Sequence, residues 1–197
     1  MRKFVFLTSL LSALLLFSLV SIILFSKVEN KKLAIESTKE QTEIEQNQVS
    51  LMTITSSAFA HNRNIPARYT CDGGNVSPSL SFSDVPTEAK SLVLIVDDPD
   101  APSKTWVHWT VFNINPGTIT FPDGLVPAGS IEGMTDFGKP GYGGPCPPSG
   151  THHYYFKLYA LDTSLILGRS AVKEDIEVAM KGHVLEKTEL IGLYKRI

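Results

Sequence analysis

Every one of the 14 glycines and 12 prolines in this 197-residue chain lies at or beyond Pro66. Proline removes a backbone donor and glycine weakens helix and strand alike, so a region punctuated by both at short intervals holds only short elements. The chain is therefore two regions with different folding rules, divided near residue 50.

Met1 to Ser26 opens on Arg2 and Lys3 and continues with 23 uncharged residues, Phe4 to Ser26. At about 1.5 Å per residue these reach about 34 Å as a helix, enough for the bilayer hydrocarbon, whereas a secretory signal's apolar core usually runs about 7–15 residues. The expectation is an N-terminal transmembrane helix over residues 1–26, with a cleaved signal segment and a secreted protein as the alternative. Arg2 and Lys3 are nearly balanced by Lys27, Lys31 and Lys32. A three-residue signal-like start keeps its N-terminus inside, which puts the expected folded domain outside the cytoplasm on a single-pass cell-membrane anchor. Residues 27–50 carry four Lys and five Glu with no Gly, Pro or aromatic, and read as a solvated polar linker.

Residues 51–197 form one domain of ordinary size with room for a core. The whole chain has a net charge of −2 and no basic patch interleaved with aromatics, which argues against a nucleic-acid partner. Apolar runs at Ser91–Asp97, Trp106–Ile114 and Tyr154–Leu161, with turn residues between them, predict an all-β sandwich or barrel. A minor helix is predicted over about Ala171–Lys181, capped by Ser170, and a closing strand over Val184–Tyr194. Ala58-Phe59-Ala60 reads as the first strand.

Two loop segments concentrate polar chemistry on stiff backbone: Asp98-Pro99-Asp100-Ala101-Pro102, and Gly141 to Tyr154 with its Gly-Gly-Pro-Cys-Pro-Pro-Ser-Gly-Thr-His-His run. Polar side chains on rigid loops at strand ends are how a β-scaffold builds a small-ligand site. A period of two puts His152, Tyr154, Phe156, Leu158 and Ala160 on one face, with His153 and Lys157 on the other. By the same period Trp106, His108, Thr110 and Phe112 share a face opposite Val107, Trp109 and Val111.

Asp98-Pro99-Asp100-Ala101-Pro102 with Trp106-Val107-His108-Trp109, followed by Gly144 to Asp162, resembles the phosphatidylethanolamine-binding protein family, most closely its bacterial and archaeal Raf-kinase-inhibitor-like branch. The resemblance runs from about Met52 to Arg196, and Ile65 to Gly73 and Gly182-His183-Val184-Leu185 also match. It implies a Greek-key β-sandwich of antiparallel sheets with a small anion-binding cavity. The implied ligand-binding residues are Asp98, His108, His152 and Tyr154, with Gly144 and Pro145 as a rim and Asp100 and Pro102 shaping the loop. His153 stands where many relatives carry Arg, and the chain ends soon after the closing strand, so a more open pocket is expected.

An anion site agrees with the residue types. A carboxylate beside an imidazole favours the imidazolium, which presents an N–H to phosphate; Tyr154 adds a hydroxyl, and a Gly143-Gly144 nest would add backbone N–H groups. The expected role is non-catalytic binding of phosphate-bearing ligands such as phospholipid headgroups, without a cofactor. The alternative is a protein-interaction module that inhibits a kinase or protease through the same region. A hydrolase is disfavoured because no Gly-x-Ser-x-Gly or nucleophile elbow accompanies the acid and imidazoles. A metal site is disfavoured because adjacent strand residues His152 and His153 point to opposite faces. Cys71 and Cys146 are left open between a disulfide and two buried thiols.

Overall fold

The computed structural model describes Lys27, residues 29–33 and residues 51–196. The chain divides into two compact units, Met1–Val49 and Ser50–Ile197. In the first, the described residues are helical, polar apart from Leu33, and exposed. Among the described residues no helix is long and apolar enough to cross a membrane. This corrects the expected transmembrane helix and the single-pass membrane location drawn from it; residues 1–26, on which the anchor and signal readings fall, lie outside the described residues.

The second unit carries nine strands: β1 (Thr53–Thr55), β2 (Arg63–Asn64), β3 (Leu80–Ser83), β4 (Ser91–Asp98), β5 (Trp106–Ile114), β6 (Thr120–Phe121), β7 (Ile131–Glu132), β8 (His152–Leu161) and β9 (Val184–Tyr194). Among the described residues of this unit a single 3₁₀ turn spans Ala67–Tyr69, and one helix, α1, spans Lys173–Met180. Eight helical residues rise only about 12 Å.

The strands form a three-stranded sheet, β1-β3-β6, and a six-stranded sheet, β2-β9-β8-β4-β5-β7. Every pair is antiparallel except β2 with β9, which departs from the expected purely antiparallel sheets. The hairpin β4–β5 and the pair β8–β9 lie side by side, because the chain passes through β6 and β7 before β8 returns beside β4.

The large sheet is covered on both faces. Met52, Ile54, Leu80, Phe82 and Phe121 of the small-sheet side pack with Leu92, Leu94, Val96, Phe156 and Leu158 in one cluster. Val93, Ile95, Phe112 and Leu161 pack with Leu165, Ile176 and Met180 of the helical side in a second. Two-sided cover explains why β4 is apolar on consecutive residues and buried at all eight, where a half-exposed strand would alternate. Fully buried Phe156, with Phe59 at 5.5 Å between ring centroids, is typical of these positions; truncation to Ala there costs about 3–5 kcal/mol.

Two local expectations change. Residues 58–60 lie in a loop after β1, and Phe59 is there to fill the core. The helix starts at Lys173 without Ser170: Asp175 Oδ2 accepts the Val172 N–H at 3.1 Å. Beyond the packing of Ile176 and Met180, an ion pair ties it down: Lys173 reaches the fully buried Asp97 carboxylate at 2.7 Å, as does Lys157 from β8.

Candidate functional site

The C-terminal end of β4, the N-terminal half of β5 and the start of β8 meet at one end of the large sheet. Asp98 closes β4 opposite Trp106, and His152 opens β8. The pairing of β4 with β5 slips between Val96 opposite Trp109 and Asp97 opposite Val107, leaving His108 as the extra residue of a β-bulge. A bulge re-aims side chains. His108 therefore leaves the face of Phe112, which packs with Ile176, and meets Tyr154 edge-on at 5.1 Å between ring centroids. The strict period of two in β5 predicted the wrong companions for it.

Along β8 the alternation holds: His152, Tyr154, Phe156, Leu158 and Ala160 are buried on one face. His152 Nδ1–H donates to Asp98 Oδ2 at 2.7 Å, with both residues buried. The carboxylate only accepts, so the ring proton sits on Nδ1 and Nε2 is left for the cavity. Asp98 Oδ1 accepts the Asp100 N–H at 2.8 Å, which folds the Asp-Pro-Asp loop back on its own first acid. Asp100 in turn accepts from the His153 backbone N–H and ring Nδ1–H at 2.8 and 2.7 Å. The His153 hydrogen bond holds the Asp100 carboxyl below the usual range. His153 is thus an exposed strap on the loop, on the opposite side from His152.

His108 is 4% exposed and its Nδ1–H donates to the Gly143 carbonyl at 2.6 Å. Burial pushes its pKa below 6.5 against the opposing pull of that carbonyl and of Asp98, Asp97 and Asp136. Tyr154 is 1% exposed, and its hydroxyl lies beside Asp98 and the Cys146 backbone without a well-formed hydrogen bond to either. Burial, then the Asp98 charge, raises its ionisation far above the usual phenol value.

Asp98, His108, His152 and Tyr154 share one cavity of about 370 Å³. Its remaining walls are Ala101, Pro102, Trp106, Phe137, Cys146, Pro147 and Pro148, so Pro102 lines the space as well as bending the loop. No Lys or Arg is among the lining residues. The chemistry on offer is a buried donor, two imidazoles, one of them held by a carboxylate, and an apolar wall.

Gly144 and Pro145 are not at the rim. Both are buried behind the lining; Gly144 N–H donates to Asn75 Oδ1 at 2.7 Å and the Pro145 carbonyl accepts from Cys71 N–H. Gly143 N–H donates to the His108 carbonyl at 2.9 Å, so neither glycine has a free N–H for an anion nest. Their lack of side chains serves packing: a Cβ at Gly143 would enter the Phe137 ring, and one at Gly144 would meet the Tyr69 carbonyl and Asn75 at 2.6 Å. Cys146 and the following prolines form the wall instead, and Cys146 is disulfide-bonded to Cys71 with Cα atoms 5.4 Å apart. Sequence reasoning missed Phe137, which packs edge-on against Trp106 and His108 at 5.7 and 5.4 Å. Its only sequence signal is the Gly143 that makes room for it. Among the described residues no three His, Cys, Asp or Glu side chains are placed to hold a metal ion.

The family model described as phosphatidylethanolamine-binding protein matches residues 55–195. A UPF0098 protein of Methanothermobacter thermautotrophicus is 57% identical over 150 residues, covering 74% of this chain and 99% of that protein. A UPF0098 protein of Pyrococcus horikoshii is 49% identical over 150 residues, 72% of this chain and 75% of its own length. Among solved structures, a putative phosphatidylethanolamine-binding protein homologue from Chlamydia trachomatis superposes with a TM-score of 0.72 at 44% identity, covering 75% of this chain and 99% of that one. Escherichia coli YbcL, described as a new member of the mammalian family, superposes at 0.71 and 32% identity over 75% of this chain and all of its own. A match across the whole sandwich, shared by archaeal and bacterial relatives, places this chain in the phosphatidylethanolamine-binding protein family, in its bacterial and archaeal branch.

Proposed function

We propose that the domain is a non-catalytic binding protein whose cavity takes a small phosphate-bearing ligand, such as a phospholipid headgroup. The observation that carries this reading is the buried Tyr154 hydroxyl, beside Asp98 and the Cys146 backbone but without a well-formed hydrogen bond, in a cavity that also presents His152 backed by Asp98. A buried hydroxyl left unpaired costs about 1–3 kcal/mol, and a ligand oxygen removes that cost. His152 holds its Nδ1–H on Asp98 and leaves Nε2 toward the cavity, where a ligand oxygen can meet it. Ala101, Pro102, Trp106 and Phe137 give an apolar wall for the group that the phosphate carries. The non-catalytic reading is supported by the state of the sulfur, since Cys146 is in a disulfide and no Ser or Lys lines the space.

Calorimetric titration with phosphoethanolamine and with acetate tests the proposal. Saturable binding of the first, weaker binding of the second and loss of both in His152→Ala are expected; equal affinity for the two anions would refute a phosphate-tuned pocket. The protein-partner reading, inhibition of a kinase or protease, draws on the exposed Phe137 beside Trp106 at the cavity mouth. It is favoured if phosphoethanolamine fails to bind.

A further inference from the structure

A second cavity lies along β7, the outer strand of the large sheet, and shares no lining residue with the pocket described above. Its volume is about 450 Å³, and Val126, Ser130, Ile131, Glu132, Gly168 and Arg169 line it. Small-molecule sites occupy about 300–1,000 Å³, so the space is of ligand size. A smaller hollow of about 210 Å³ shares Val126 and Glu132 with it and is also lined by Trp109.

The fold brings its two charged residues together from distant parts of the chain. β7 pairs with β5, with Glu132 opposite Val111 and Ile131 opposite Phe112. The segment before α1 lies directly against the end of β7. Met134 N–H donates to the Ala171 carbonyl at 2.8 Å, and a Cβ on Gly133 would meet that carbonyl at 2.7 Å. Arg169, two residues before Ala171, is thereby carried to the cavity that Glu132 lines.

These two charges do not neutralise each other. Among the described residues neither Glu132 nor Arg169 is in an ion pair. Glu132 Oε1 accepts the Trp109 Nε1–H at 2.9 Å, and Trp109 is 1% exposed, so a rigid core ring orients the carboxylate without cancelling its charge. Its other oxygen has no hydrogen bond among the described residues. A simple anion would be repelled by Glu132 and a simple cation by Arg169, whereas a molecule carrying both charges satisfies both walls. Val126 and Ile131 add half-buried apolar surface beside them.

We propose that this cavity binds a free α-amino acid with an aliphatic side chain. Its ammonium sits on Glu132, its carboxylate on Arg169, and its side chain against Val126 and Ile131. The planar fork of a guanidinium matches a carboxylate, and the Glu132 oxygen that Trp109 leaves free is an acceptor for the ammonium.

The chain has two tryptophans, one at each cavity: Trp106 lines the β4–β5–β8 pocket and Trp109 holds Glu132. Their indole N–H signals separate the two sites in a proton–nitrogen NMR titration of the whole protein with L-leucine. The Trp109 signal is expected to move saturably while the Trp106 signal stays. Isoamylamine, which lacks the carboxylate, and isocaproate, which lacks the ammonium, are each expected to bind at least about tenfold more weakly, since each forfeits a hydrogen bond between charged groups. Glu132→Gln keeps an amide oxygen for the Trp109 indole, and Arg169→Gln changes an exposed side chain, so neither disturbs the core. Each is expected to weaken leucine binding at least about tenfold. An unmoved Trp109 signal, a shift of Trp106 in its place, equal affinity for leucine and either analogue, or unchanged leucine binding in either variant overturns the proposal. None of these outcomes bears on phosphate binding at the other cavity.

Discussion

Replacing Tyr154 by phenylalanine removes one oxygen from a residue that is 1% exposed and leaves the ring that packs against His108 and the core. In the fold that oxygen has given up water for a place beside Asp98 and the Cys146 backbone, without a well-formed hydrogen bond to either. The penalty for such a group is about 1–3 kcal/mol, so Tyr154→Phe is expected to stabilise the domain by about 1–2 kcal/mol. For a domain of about 150 residues this is a rise in melting temperature of about 3–6 °C by scanning calorimetry. The same change deletes a hydrogen bond to a charged ligand, worth about 1.5–3 kcal/mol, or about 10- to 150-fold in phosphoethanolamine affinity. Stability and affinity must therefore move in opposite directions. A variant destabilised by more than about 1 kcal/mol with unchanged affinity would show that the hydroxyl is satisfied within the folded protein, and would refute the reasoning.

Three further outcomes are expected. The Cys71–Cys146 disulfide joins residues 75 apart, a loop whose closure is worth about 4.5 kcal/mol in the chain-entropy treatment; the double Ser variant should melt about 14 °C lower, and a drop below about 4 °C would contradict it. Asp97→Asn leaves Lys157 and Lys173 without their buried counter-charge, costing about 3 kcal/mol and releasing α1, seen as faster amide exchange over residues 173–180 and absent if the helix is held by packing alone. His108, whose folded pKa lies below its ordinary value of about 6.5 because of burial, takes up its proton more readily unfolded. Its contribution to stability is complete above about pH 6.5 and is lost as pH falls through the lower folded value, by up to about 1.4 kcal/mol per pH unit; in His108→Gln that stretch of the stability profile should be flatter.

Most of the sandwich was legible in the sequence because its long strands are apolar for simple reasons. β4 is covered on both faces and reads as an unbroken apolar run, and β8 is buried on one face and reads as an alternation ending in His152 and Tyr154. What failed was whatever depends on a change of register. The bulge at His108 is a pairing mismatch between two strands and leaves no mark in either one alone, so the period of two grouped His108 with Phe112 rather than with Tyr154. The Gly-Gly-Pro segment carried a strong signal whose meaning was misassigned. Its glycines answer to crowding by Phe137, Tyr69 and Asn75, contacts between residues up to 75 positions apart that no local pattern encodes. Pairing of the two cysteines was open for the same reason, since only the fold brings their Cα atoms to 5.4 Å. The apolar N-terminal run suggested a bilayer span from length alone, a reading that the described helices do not support.

The central claim is that one cavity, through His108, His152 and Tyr154, holds the phosphate. The most direct test follows the imidazole nitrogens of the five histidines by NMR as phosphoethanolamine is added to the protein. The account predicts saturable shifts at Nε2 of His108 and of His152, with His61, His153 and His183 unmoved. Shifts confined to those three, or none at saturating ligand, would contradict it.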